Sequence, residues 1–143
     1  MAARFRLSSL LRARLAQEDA AKAEVARARG AVRAAGRTVA DARTALQASD
    51  LPSGGTGLAV VAAIAARHSL AAGLAAARQG VVSAEEQADE RVAELAEAAK
   101  RRRAVEKLAE RHAAARKFAE QAADQRVVDE LAITAASRRE EVE

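Results

Sequence analysis

One proline governs what this chain can become. Pro52 is the only proline in 143 residues, and it sits in Ser49-Asp50-Leu51-Pro52-Ser53-Gly54-Gly55-Thr56-Gly57. Proline lacks an amide proton and pushes the residue before it out of the helical region. The glycines after it free the backbone, and Thr56 offers a side-chain oxygen to cap a second helix. These signals predict one loop, at about 49–57, between two helices at about 3–48 and about 58–140. A rival break exists at Gly80, where Ser83-Ala84-Glu85-Glu86 resembles a capping box and would yield a three-helix bundle. Against it, Leu74, Val81, Ala88 and Leu95 run through that point in phase, with no proline nearby.

Both segments carry a heptad. In the first, Val25, Val32, Val39 and Leu46 are seven apart, with Ala21, Ala28, Ala35 and Ala42 as the companion row. Alternating steps of three and four keep both rows on one face, as a left-handed coiled coil requires. The row runs back through Leu11 and Leu7, interrupted by Arg14 and Glu18. In the second segment, Val60, Leu74, Val81, Ala88 and Leu95 form one row. Ile64, Ala71, Val92 and Ala99 are read as its companions, Arg67, Arg78 and Glu85 as interruptions, and the register as drifting after about residue 100. The fold class expected is therefore all-α: a long antiparallel two-helix coiled-coil hairpin, a single coiled-coil domain over 1–143.

Composition supports a thin seam in place of a globular core. Half the residues are hydrophobic, but Trp and Tyr are absent and the only aromatics are Phe5 and Phe118. Small seam residues let helices approach closely and bury little area each, at ~25 cal/mol per Å². The expectation is a marginally stable hairpin with frayed ends. At ~1.5 Å per residue the first helix is about 70 Å long and the second over 100 Å. The C-terminal part of the second helix must then overhang its partner and needs another surface. With residue i placed near residue 107 − i, Val25 is expected to face Val81 and Val82, and Arg12 and Arg14 to face the stretch around Glu94. The formal net charge is only +4. Residues 1–48 hold ten Lys/Arg against Glu18, Asp19, Glu24 and Asp41, whereas an acidic block runs from Glu85 to Glu97. Glu86, Glu90 and Glu94 repel along one helix face, and a facing basic helix offsets this.

Several chemistries find no support. There is no cysteine, hence no disulfide and no thiolate metal site or nucleophile, which fits a cytoplasmic setting. No apolar run approaches the ~20 residues that span a bilayer, and the charged opening residues do not read as a secretory signal. Ser53-Gly54-Gly55-Thr56-Gly57 lacks the Gly-Lys-Ser/Thr ending of a phosphate loop. His68 and His112 lie far apart, with no nucleophile, base and orienting group arranged around either. The expectation is a non-enzyme with no cofactor and no metal. Lys100-Arg101-Arg102-Arg103 could touch phosphates, but Glu106 and Glu110 come next and no aromatic is there to stack on bases. The run reads as a protein-docking face, with a basic nucleic-acid-associated helix or a generic coiled-coil scaffold as alternatives.

Two regions carry a family resemblance. Phe5-Arg6-Leu7-Ser8-Ser9-Leu10-Leu11-Arg12-Ala13-Arg14, and then Lys100-Arg101-Arg102-Arg103-Ala104-Val105-Glu106-Lys107-Leu108-Ala109-Glu110-Arg111 with Gln125-Arg126-Val127-Val128-Asp129-Glu130-Leu131-Ala132, resemble the flagellar export FliJ family. The resemblance implies a non-enzymatic component of the bacterial flagellar type III export apparatus. Its hairpin would be similar to the central stalk of rotary ATPases, binding the hexameric export ATPase ring and coupling it to the export-gate membrane protein and export chaperones. It implies a cytoplasmic location, peripheral to the inner face of the membrane at the flagellar base, with no nucleic acid bound and no membrane insertion. The ATPase-facing set implied is Arg101, Arg102, Arg103, Glu106, Lys107, Glu110, Arg111, Gln125, Asp129 and Glu130, with Phe5, Leu11 and Arg12 from the opposite terminus. Reversing Arg101, Arg102 and Arg103 to Glu is expected to abolish docking and spare helicity. The Ala- and Gly-rich region near the loop carries no assignable gate-contacting surface.

Overall fold

The computed structural model describes the backbone of residues 2–140 and the side chains of 6–138. It consists of two helices, α1 (Ala2–Ala48) and α2 (Gly57–Glu140), with no strand among the described residues. The helices pack against each other as a hairpin. α2 passes through Gly80 and Ser83 without a break, so the three-helix alternative is not adopted. Contacts divide the chain into two compact units, one formed by residues 15–100 and one by 1–14 with 101–143.

The loop is closed by local hydrogen bonds. Ser49 donates through both its amide (3.3 Å) and its hydroxyl (2.8 Å) to the Leu46 carbonyl, satisfying one orphan acceptor at the end of α1. Thr56 starts α2, its hydroxyl oxygen accepting from the Ala59 amide at 3.3 Å. Gly55 has φ = +135°, a region an L side chain rarely enters. Arg67 reaches across and donates to the Ser49 carbonyl at 2.6 Å.

In the unit of residues 15–100, the seam on α1 is the one the sequence shows. Glu18, Ala21, Val25, Ala28, Val32, Ala35, Val39, Ala42 and Leu46 are all buried or half-buried. On α2 the companion row differs from the sequence reading. The shielded companions are Ala63, Leu70, Ala77, Ala84 and Ala98, three residues on from Val60, Arg67, Leu74, Val81 and Leu95, while Arg91, three beyond Ala88, is exposed. Of the residues proposed four places on, Ile64, Ala71 and Val92 are exposed and only Ala99 is half-buried. Aliphatic residues flank the true row, and alanines at both spacings hide which is chosen.

The facing register also differs. Ser49 meets Arg67 where residue 58 was expected, and Glu24 lies within electrostatic reach of Arg91 where residue 83 was expected. The loop does not turn symmetrically. Leu51 instead lines an open crevice with Leu46, Ile64, Arg67 and His68. Val25 therefore does not reach Val81 and Val82. Glu94 is bound by Arg91 of its own helix at 2.8 Å.

α2 also contains an 18-residue window of mean hydropathy 1.7, long and apolar enough by length and composition to cross a membrane. This corrects the expectation that no such run exists. Arg67 is the only Asp, Glu, Lys or Arg from Leu58 to Ala77.

Val25 and Leu74, at 6% and 7% exposure, are the most buried aliphatic residues of this unit. Leu74→Ala will lower stability by about 2–3 kcal/mol, read from thermal melts followed by circular dichroism, because the seam has no aromatic to fill the gap. Arg27 donates a hydrogen bond to Glu24, and this, against a smaller opposing desolvation, holds the Glu24 carboxyl below its usual range. A depressed carboxylate stabilises the fold above its unfolded pKa and loses that contribution as pH falls through the folded one. Acid melts of Glu24→Gln will be shallower than those of the parent chain over that interval.

Candidate partner-docking surface

The residues implied for partner binding fall in the unit of residues 1–14 and 101–143. Their arrangement is set by the heptad, which persists where drift was expected. Arg102, Val105, Ala109 and His112 continue the shielded row on α2, with Val105 buried. Leu7 and Leu11 supply the matching row on α1. Together they form an open crevice of about 340 Å³ lined by Leu7, Ser8, Leu11, Ala109, His112, Ala113, Arg116, Lys117 and Glu120. Leu11 thus shares a crevice with Ala109 and His112, well beyond residue 96 where the sequence register placed its partner.

Heptad position divides the basic run into two kinds of residue. Arg102 points into the seam, its side chain only 19% exposed, and pairs with Glu106 at 2.5 Å. It is fixed by packing, and reversing it places an acid beside Glu106 on the seam. Reversal of Arg102 therefore disturbs a packed ion pair that reversal of Arg101 or Arg103 leaves in place. Arg101, Arg103, Lys107, Glu110 and Arg111 are exposed, with no ion-pair partner among the described residues. Arg12 is exposed on α1. The Phe5 side chain lies outside the described residues.

Further along α2, α1 supplies no cover. From Gln121 to Arg138 every side chain except Ala122 is exposed. The Gln125 amide donates to the Asp129 carboxylate at 2.9 Å, and the Glu130 carbonyl accepts from the Thr134 hydroxyl at 2.8 Å. Both bonds are intrahelical, so Gln125, Asp129 and Glu130 stay available to a partner. The structure adds residues that the sequence reading left out. Phe118 is 74% exposed, and Val127, Val128, Leu131 and Ile133 are each more than half exposed. Arg116 and Glu120 pair at 2.9 Å along one side of the crevice. The available signal was apolar residues obeying no heptad: side chains that serve no internal seam are free to serve an external one.

The arrangement offers a cationic outer face next to a bare helix with aliphatic residues on more than one side. Among the described residues no group of His, Asp and Glu is placed to hold a metal. Phe118→Ser, Val128→Ser and Leu131→Ser will each leave stability within about 0.5 kcal/mol of the parent, since exposed side chains contribute little to folding. Thermal melts check this, and Val105→Ala in the same series will show a clear loss.

A family model described as Flagellar FliJ protein matches residues 3–141. No curated protein and no solved structure is similar enough to the chain to count as a match.

Proposed function

The chain belongs to the flagellar FliJ family, whose members are components of the flagellar export apparatus, and from that premise we propose that it acts as a central-stalk-like coiled coil inserted into the export ATPase ring. The observation that carries this reading is the uncovered stretch of α2 from Gln121 to Arg138. A helix this long leaves aliphatic side chains in water unless another surface accepts them. A ring lumen accepts them from several sides at once, which matches exposed residues distributed around the helix, as Phe118, Val128 and Leu131 are.

Charge supplies orientation. Arg101, Arg103, Lys107 and Arg111 form the cationic face implied by the family resemblance, with Glu110 among them and Arg12 from α1 at the same end of the hairpin. Such a face steers encounter with an acidic rim and sets rotational register more than it adds affinity. Arg102, Glu106 and Val105 hold the underlying seam, so the outer charges sit on a fixed helix. Gln125, Asp129 and Glu130 extend the contact along the bare segment, and Leu11 anchors the crevice where α1 meets α2.

In this reading the protein is not a catalyst. It works in the cytoplasm, at the inner face of the membrane at the flagellar base, and links the ring to the export gate and to export chaperones. No residue is assigned to the gate contact.

Mixing the purified chain with the cognate export ATPase, and following co-elution, ring formation and ATP turnover, tests the proposal. The parent chain will co-elute and raise both ring formation and turnover. A variant carrying Arg101→Glu, Arg103→Glu and Lys107→Glu will keep its helicity and bind at least tenfold more weakly, about 1.4 kcal/mol or more. Unchanged co-elution of that variant overturns the assignment of the face. Absence of any effect of the parent chain on the ring overturns the stalk reading.

A further inference from the structure

One edge of the hairpin, wholly within the unit of residues 15–100, has a composition that a solvated coiled coil does not need. On α1 the residues one and four places beyond the core row of Val25, Val32 and Val39 include Arg29, Arg33 and Arg43. On α2 the residues one and four places beyond Val60, Arg67, Leu74 and Val81 include Val61, Ile64, Arg78 and Val82. In an antiparallel pair these two rows border the same edge of the seam. From Ala26 to Gln47 on the first row there is no acidic side chain, and on the second row none stands before Glu85.

Three observations set this edge apart. First, the four arginines are exposed and have no ion-pair partner among the described residues. In the same unit Lys22, Arg27, Arg91 and Lys100 each pair with an acid three or four residues away on their own helix, while Arg37, off this edge, is exposed and unpaired like the four. Second, Val61, Ile64 and Val82 are exposed aliphatics, with Val61 at 64%. Third, the most apolar stretch of α2 is only 6% buried. Unpaired cations interleaved with exposed aliphatics, over a face about 30 Å long at ~1.5 Å per residue, are the two features that hold a helix in a lipid headgroup layer.

We propose that this edge adsorbs to an anionic lipid bilayer, with the hairpin lying in the headgroup plane and not crossing it. Arg29, Arg33, Arg43 and Arg78 meet lipid phosphates, while Val61, Ile64 and Val82 reach the acyl boundary. Each arginine near an anionic surface contributes about fivefold in partitioning. Crossing is disfavoured because these arginines and the seam residue Arg67 would have to enter hydrocarbon. A nucleic acid would satisfy the arginines alone, since the edge offers no aromatic for bases and aliphatic side chains gain nothing from phosphates. The proposal uses none of the residues assigned to the ATPase contact and stands or falls apart from it.

Sedimentation of the full chain with vesicles tests it. One set contains equal parts phosphatidylcholine and phosphatidylglycerol, the other phosphatidylcholine alone, and mixed-sequence duplex DNA serves as competitor. The parent chain will bind the anionic vesicles and not the neutral ones. A variant with Arg29→Glu, Arg33→Glu and Arg78→Glu will bind at least tenfold more weakly, and one with Val61→Ser and Val82→Ser severalfold more weakly, both with unchanged helicity. The Arg101→Glu, Arg103→Glu, Lys107→Glu variant will bind as the parent does. Equal retention on both vesicle types, or equal loss in that last variant, overturns the proposal. Release by duplex DNA together with no effect of the valine substitutions assigns the edge to a polyanion and overturns it as well.

Discussion

Close approach of two helices along an alanine-rich seam is the constraint that shapes everything else in this structure. A seam of Ala21, Ala28, Ala35 and Ala42 against Ala63, Ala77 and Ala84 brings backbones together and leaves little room for large side chains. Stability must then come from many small burials along the length, punctuated by a few larger ones at Val25, Leu74 and Val105. The crevice lined by Leu7 and Leu11 and the one lined by Leu46 and Leu51 are both open to solvent.

The helix surfaces are sorted by heptad position. The same basic run serves two purposes, because a helix turns about 100° per residue. Arg102 is drawn into the seam against Glu106, while its neighbours Arg101 and Arg103 face water. A polar residue also occupies the seam at Glu18, which is buried and bound by Lys22 at 3.2 Å. Polar groups at core positions of a coiled coil reduce stability and select one register over others. In a seam where alanines would tolerate several registers, Glu18 and Arg102 are the residues able to discriminate among them. The membership of the chain in the flagellar FliJ family gives these faces a setting, the flagellar export apparatus.

Much of this was legible from the residues alone. The loop at Pro52, the shielded row of α1 and the continuity of α2 across Gly80 all come from local rules about backbone freedom and sevenfold spacing. The companion row of α2 did not, because aliphatic residues stand both three and four places from its core row, as Ala63 and Ile64 do. Burial decides between such neighbours, and burial depends on the other helix. The residues proposed for docking were legible as charges, yet their division into packed and exposed was not. The bare aliphatics from Val127 to Ile133 were visible only as a failure of the pattern.

Short-range rules and composition were enough to define the kind of object: two helices, one turn and a narrow small-residue interface. Each of these rests on interactions within a few residues, or on the supply of alanine. The register came from the folded pair alone, with Ser49 beside Arg67 and Glu24 within electrostatic reach of Arg91. Sliding one alanine row past another by a heptad changes local chemistry very little, so no short-range rule can choose the alignment. Contacts distant in sequence choose it, and that choice sets where α1 ends along α2 and which turns remain bare for a partner.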